Sequence, residues 1–232
     1  MSHLDFYNHF VANQATTRQQ VQKCHRIRYD VYCEQQGFEP VNKEKLERDG
    51  LDAQAHHNLI CCGQSQTPVA TSRMLFQGMP LYSLIGNSLL PNKEYCGELS
   101  RYCVDHLKMR SIMDNVRQSN SELAFKLKKY GALLLSPALM KLNMISCLEA
   151  DRPYLLGITE KRLVKKMNIL GFAMEAIGPE IEYHGMRQPF LFRVEKTFDR
   201  MKKGNLDFWK FMTNDGELHD KAHALVEKLD LY

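Results

Sequence analysis

YLLGITEKRLVKKMNILGF, residues 154–172, is the stretch on which the fold turns. Tyr154–Ile158 is a short apolar run of strand length bounded by Pro153. Thr159 is placed to cap a helix over EKRLVKKMNIL, which Gly171 and Phe172 bring to an end. Downstream, FAMEAIG at 172–178 and QPFLFRVE at 188–195 have the composition of two more strands. A partly amphipathic stretch containing Trp209 follows, and residues 200–232 are expected to form a C-terminal helical tail.

Upstream, helical spacing runs from about 15 to 36 through Val21, Cys24, Ile27, Arg28, Val31 and Tyr32, with Gly37 where a helix would stop. A polar, charged loop covers about 39 to 56. HNLICCG at 57–63 and VATSRMLF at 69–76, separated by polar residues and Pro68, suggest a hairpin, and ELSRYCV at 98–104 alternates like a strand. Asn120 or Ser121 can cap a helix running through Leu123, Leu127, Leu134 and Met140 toward Cys147, with a break expected at Gly131 or Pro137. Strands follow a first helix and helices separate later strands, so the expected class is α/β with a mixed sheet. No repeat or Pro/Ser-rich linker marks a boundary, and residues 1–232 are read as one domain.

Composition narrows the function. The chain has 232 residues, 44% hydrophobic and 25% charged, enough to bury a full core. No apolar run approaches the roughly 20 residues needed to cross a bilayer, and MSHLDFYNHF lacks the order of a signal peptide, so no transmembrane segment and a cytoplasmic location are expected. Seven cysteines form an odd set without a CxxC pair, which argues against a disulfide framework or zinc ribbon. His56-His57 with Cys61-Cys62 is the one compact metal-like cluster weighed, but adjacent strand side chains point to opposite faces, so no metal is expected. A net charge of +4 without a recognition motif argues against nucleic acid. Basic residues do cluster, at Lys126, Lys128 and Lys129, at Lys161, Arg162, Lys165 and Lys166, and at Arg200, Lys202 and Lys203. Each cluster is read first as a solvated helix face; together they suit an acidic partner.

Charged residues also stand where apolar ones belong. Arg28 lies in an apolar helix pattern and Arg73 and Arg101 lie in strand patterns, so each needs a carboxylate partner. Glu47, Asp49, Asp52 and Glu98 are at hand. Structural ion pairs and a functional site are both open readings of this set. Cys103 with His106 is a further nucleophile–base pairing to weigh against a packed cysteine.

Five elements in order resemble the autoinducer (acyl-homoserine-lactone) synthases, a branch of the GNAT acyltransferases that also holds the N-acyl amino acid synthases. They are Arg28-Tyr29-Asp30-Val31-Tyr32, the aromatic Phe38, Glu47-Arg48-Asp49-Gly50-Leu51-Asp52, Arg73 in TSRML, and Glu98-Leu99-Ser100-Arg101. Tyr32 and Phe38 stand where that branch usually has phenylalanine and tryptophan. EYHGMRQPFLF at 182–192 looks more like the acyltransferases associated with exosortase and PEP-CTERM sorting.

The resemblance implies a GNAT-like fold with a splayed central sheet flanked by helices, the splay falling between ELSRYCV and YLLGI. It implies direct attack of an acceptor amine on an acyl thioester, with no bound cofactor. Glu98, Ser100 and Arg101 would act at the reacting centre, Glu98 handling the proton. Arg28, Tyr32, Phe38, Glu47, Asp49, Asp52 and Arg73 would form the acceptor site. The stretch VDHLKMRSIMDNVRQSNSEL at 104–123 contains no glycine, whereas acetyl-CoA-using relatives cradle pyrophosphate in a glycine loop there. Acyl carrier protein is therefore the favoured donor and partner, with acyl-CoA still open, and an amino acid or related small amine is the acceptor. Met140 and Met144 are candidates to line an acyl tunnel. A CoA-dependent N-acetyltransferase and a non-catalytic acyl-carrier-binding or lipid-binding module are the alternatives.

Overall fold

The computed structural model describes residues 4–63 and 65–231. In chain order its elements begin with α1 (Leu4–Tyr7), β1 (Phe10–Gln14), α2 (Arg18–Arg28), β2 (His56–Cys62), β3 (Pro68–Leu75), α3 (Leu81–Ile85) and β4 (Cys96–Val104). There follow α4 (His106–Ser119), α5 (Ser121–Glu149), β5 (Tyr154–Thr159), α6 (Lys161–Ile169), β6 (Glu175–Ala176), β7 (Ile181–Glu182), β8 (Met186–Arg193), α7 (Val194–Gly204), α8 (Leu206–Thr213) and α9 (Glu217–Lys228). Hydrogen-bonded neighbours follow the order β1-β2-β3-β4-β5-β8-β6, with β7 pairing β8. This is a mixed α/β, GNAT-like architecture: an open eight-strand sheet with helices on its faces.

The chain groups into two compact units, residues 1–73 with 101–142 and residues 74–100 with 143–232. In the first, β1 pairs antiparallel with β2 from Phe10↔Cys62 to Gln14↔Asn58. Thr17 caps α2 through a capping box with Gln20, and the helix lays Cys24 and Ile27 against Leu59, Cys61 and Cys103 in a buried cluster. In the second, β4 and β5 pair in parallel from Cys96↔Tyr154 to Leu99↔Gly157, and β5 pairs antiparallel with β8 along its length. Phe172, Phe192 and Phe198 are fully buried there, and the Phe172 and Phe192 rings meet edge to face at 6.3 Å.

Several local expectations need correction. Helix α5 runs unbroken for 29 residues with Pro137 inside it. A helix-interior proline costs about 3 kcal/mol, but Leu134, Leu135, Ala138 and Leu139 around it are all buried, and each of the three leucines is worth roughly 1.5–3 kcal/mol. Gly131 serves close packing instead of a break, since a Cβ there would lie 3.0 Å from Met109 Cε. The glycine-free stretch after Val104, to which no helix is assigned from sequence, forms α4, capped by the Asp105 side chain accepting Lys108 N–H at 2.9 Å.

Thr159 does not cap α6. Pairing with Gln188 keeps it in β5, and Glu160 begins the helix without a side-chain cap bond. Of residues 172–178 only Glu175 and Ala176 are strand, because the Asn168 side chain bonds both the N–H and the C=O of Met174. Likewise, Val194 and Glu195 turn from β8 into α7. One stretch of α5 is long and apolar enough to cross a membrane by length and composition alone, unlike the expectation from sequence. It is 78% buried within the protein, as a core helix is.

Where β4 and β5 are paired, glycine is a steric requirement. A Cβ on Gly157 would lie 2.8 Å from Phe190 Cζ and 3.1 Å from the Leu99 carbonyl oxygen. Gly157→Ala is expected to cost about 1–3 kcal/mol of stability, read as a lowered midpoint in chemical denaturation. An unchanged midpoint would show that Phe190 and the Leu99 backbone yield freely.

Candidate functional site

Helix α2 delivers Arg28 and then passes into a π-helical turn, Tyr29–Gln35, that ends at Gly37 with φ +65°. Such widened turns recur at functional sites. Here the turn places Tyr32, whose hydroxyl donates to the Tyr102 carbonyl at 2.9 Å and whose ring stacks on Phe38 at 6.4 Å. Burial pushes the Tyr32 hydroxyl well above the ordinary tyrosine value, so it stays protonated at neutral pH.

Arg28 is completely buried. Its Nε donates to Glu47 Oε2, and its Nη1 and Nη2 grip Asp52 Oδ1 and Oδ2 at 2.7 and 3.1 Å. Arg73, also buried, donates through Nη1 to Asp52 Oδ1 at 2.9 Å and to Asp49 Oδ1 at 2.6 Å. Arg101 completes the cluster through Glu47 Oε1 at 3.0 Å and through Asp49 and Glu39, each at 3.3 Å. Its guanidinium also lies 6.0 Å over the Tyr32 ring, at the outer reach of a cation–π contact.

Four carboxylates thus surround three guanidiniums, leaving one formal negative charge. The cluster is graded in depth: Arg28, Arg73, Glu47 and Asp52 are nearly sealed, whereas Glu39 and Asp49 are 29% and 32% exposed. The buried part holds itself together; the rim is open to a solute. Burial alone would raise the Asp52 pKa, but the Arg28 and Arg73 hydrogen bonds overcome it and hold this carboxyl well below the usual range. Asp49 is lowered in the same way, with burial opposing and Arg73 prevailing.

Arg101 stands in β4 with φ +50°, a left-handed conformation. That costs a non-glycine residue roughly 1–3 kcal/mol, and hydrogen bonds to charged partners return about 1.5–3 kcal/mol each. Three carboxylates therefore suffice to hold the distortion.

Six residues singled out from sequence, Arg28, Glu47, Asp49, Asp52, Arg73 and Arg101, meet in one hydrogen-bonded cluster, with Tyr32 and Phe38 beside it. Glu39 is a member that sequence reading missed; its only signal is a carboxylate next to Phe38. Glu98 and Ser100 belong to the second unit. Glu98 is 7% exposed, and its Oε2 accepts the Leu81 N–H at 2.9 Å, which fixes the carboxylate one residue before the Leu99↔Gly157 pair. Cys103 is packed in the α2 cluster and burial pushes its thiol far up, so it is not an available nucleophile at neutral pH.

Between α4 and α5, within the first unit, lies a cavity of about 720 Å³. Met109, Met113, Phe125 and Leu135 line it together with the cationic Arg110, Arg117 and Lys128. Met140 and Met144, candidates either to line a tunnel or to fill the core, are buried. Of the basic clusters, Arg162, Lys165 and Lys166 are exposed along α6, while Lys126 pairs with Glu122 at 2.7 Å and Lys202 lies over the Trp209 ring.

Residues 27–113 match the model of the acetyltransferase (GNAT) domain. Among solved structures, the AHL synthase LasI is similar with a TM-score of 0.59 at 17% identity, over 84% of this chain and 96% of that one. FeeM, an N-acyl amino acid synthase from uncultured soil microbes, is similar at 0.53 and 15%, over 85% and 97%. BjaI, a CoA-dependent acyl-homoserine lactone synthase with SAM and isopentyl-CoA, is similar at 0.55 and 16%, over 89% and 99%. No curated protein matches in sequence. The match to the GNAT domain is confined to residues 27–113, and the chain as a whole has the fold those synthases share.

The cluster makes stability depend on acid. Asp52 has a depressed pKa when folded, so its contribution is complete above the unfolded value near 3.9 and is lost as pH falls through and below it. Thermal midpoints are expected to vary little on this account between pH 7 and 5 and to fall steeply below about pH 4. Asp52→Asn, which leaves Arg28 buried without its bidentate partner, is expected to cost about 3–5 kcal/mol at pH 7 and to flatten the acid limb. An Asp52→Asn variant as stable as the parent, with the same acid limb, would remove Asp52 from this role.

Proposed function

We propose that the protein moves a medium- or long-chain fatty acyl group from acyl carrier protein, or from acyl-CoA, to the amine of an amino acid or related small acceptor. The observation that carries this reading is the arginine–carboxylate cluster, anionic by one charge and open at the Glu39–Asp49 rim. An acceptor amine arrives as an ammonium ion, and a rim of acceptor-only carboxylates with a surplus negative charge favours it. Arg28, Glu47, Asp52 and Arg73 then serve as the frame, and Asp49 with Glu39 as the contacting groups. Tyr32 and Phe38 wall the site.

The acceptor nitrogen, once deprotonated, attacks the thioester carbonyl. A C–N bond forms, the C–S bond breaks, and the donor thiol leaves. Glu98 takes the proton from the ammonium, directly or through a water, and Ser100 and Arg101 act beside it on the same strand. Direct attack agrees with Cys103 being packed and unionised. By this route the enzyme needs no bound cofactor.

The carrier-protein donor is supported by the start of α4. Asp105, 1% exposed, occupies the N-cap with a carboxylate. A helix N-terminus already holding that anion is a poor seat for pyrophosphate. The exposed cations of α6 offer an acidic carrier protein a surface, and the apolar, cation-bordered cavity between α4 and α5 suits a fatty chain better than an acetyl group. This reading keeps the resemblance to the PEP-CTERM-associated acyltransferases and a cytoplasmic location as its finer parts. BjaI, described as CoA-dependent, is the reason acyl-CoA stays beside the carrier protein as donor.

Mass spectrometry of lipids from cells making the protein is expected to reveal N-acylated amines that are absent from control cells. Glu98→Gln keeps an oxygen to accept the Leu81 N–H but loses basicity, so it is expected to fold normally and to slow transfer about 10²-fold or more. Equal rates for the parent and Glu98→Gln across pH would eliminate Glu98 as the base. Acetylated products alone would instead favour a CoA-dependent N-acetyltransferase.

A further inference from the structure

Remote from the residues of the acceptor cluster in sequence, the second unit holds another constellation. His219 and His223 are four residues apart on α9, so they project from one face of the helix. Asp199 on α7 meets both: His219 Nε2 and His223 Nε2 each lie 3.0 Å from the same oxygen, Asp199 Oδ1. Asp220 Oδ1 stands 3.1 Å from the other ring nitrogen, Nδ1, of His219.

His219 faces a carboxylate at each nitrogen, and Asp199 Oδ1 is shared by the Nε2 atoms of both histidines. One cation in place of the protons between Asp199 and the histidines is compatible with this arrangement: Asp220 accepts Nδ1–H, fixing the tautomer of His219, and both Nε2 lone pairs turn to the cation. A carboxylate behind a ligating histidine is the usual outer-shell arrangement of metal sites.

We propose that Asp199, His219 and His223 bind a divalent transition-metal ion, of which Zn²⁺ best fits the two-nitrogen, one-oxygen donor set. All three ligand atoms lie within 4.8 Å of one another. A tetrahedral zinc with bonds of about 2.0–2.1 Å spaces its ligands roughly 3.3 Å apart, so the observed 3.0 Å contacts need only open by a few tenths of an ångström. The ion fastens α9 to α7. Asp199 and His223 are each 42% exposed, which gives the ion an entry path and leaves its fourth position to water.

His25, Asp52 and His57 form a second His–Asp–His group whose ligand atoms also lie within 4.8 Å of one another. Electrostatics decides against it: both Asp52 oxygens already bond Arg28, and Oδ1 also bonds Arg73, so a cation there would face two guanidiniums. Among the described residues, Asp199 forms its salt-bridge contacts with the two histidines and with no arginine or lysine. From sequence no metal is expected, because in the one compact cluster, His56-His57 with Cys61-Cys62, adjacent strand side chains point to opposite faces.

Trp209, the one tryptophan of the chain, reports on this site, since its ring meets His219 edge to face at 5.6 Å. The full-length protein, stripped with chelator, should be titrated with Zn²⁺ and with Co²⁺ at pH 7.5 while Trp209 emission and the melting temperature are followed. One equivalent is expected to bind, shifting the emission and raising the melting temperature. His223→Ala and Asp199→Asn, checked for folding by circular dichroism, are expected to bind at least about tenfold more weakly, since even an outer-shell partner is worth that much. Zn²⁺ affinity equal in the parent and in both folded variants, or no binding by the parent, would overturn the assignment.

Discussion

A fully buried guanidinium is the constraint on which the candidate site rests. Arg28 has no access to water, so every one of its charged contacts must come from the protein. Glu47 and Asp52 supply them, and this fixes the 39–56 loop, a segment with little secondary structure of its own, against α2. Once Asp52 is fixed it serves Arg73 as well, and once Glu47 is fixed its second oxygen serves Arg101. The loop is therefore ordered by charge pairing more than by apolar burial. Arg101 keeps a left-handed backbone for the same reason.

On the proposed function, the pairing lets one cluster be both structural and functional. Its interior is satisfied and sealed, so removing a member is expected to unbalance the fold. Its rim, Asp49 and Glu39, is exposed and carries the surplus negative charge. A ligand ammonium can exchange water for carboxylate at the rim without disturbing Arg28. Under the proposed function, the two readings of these charged residues, ion pairs and acceptor site, describe different depths of one network.

Much of this was legible in the sequence because the residues concerned are charged where the local pattern calls for apolar side chains. Arg28, Arg73 and Arg101 announce themselves in that way, and the carboxylates of 47–52 are the nearest answer. Glu39 gave no such signal, being one more acidic residue in a polar loop. The unbroken α5 was hidden because proline and glycine have strong local meanings, and only the buried leucines on either side show that packing outweighs them. Asn168 was hidden for the opposite reason: a polar side chain on α6 takes over the Met174 backbone and shortens a strand whose composition is adequate. His219 and His223 show their helical spacing in HDKAH, but Asp199 lies twenty residues earlier and joins them only through the packing of α7 on α9.

The central claim is that an amine attacks the acyl thioester directly, without an acyl-enzyme. Acyl carrier protein loaded with a fatty acyl group should be mixed with the purified protein, with and without a pool of amino acids, and all species followed by intact-mass spectrometry. The account predicts that free carrier thiol appears only when amines are present, one thiol per N-acyl product, while the mass of the protein never changes. Thiol release without amine, accompanied by an acyl adduct on the protein, would contradict it.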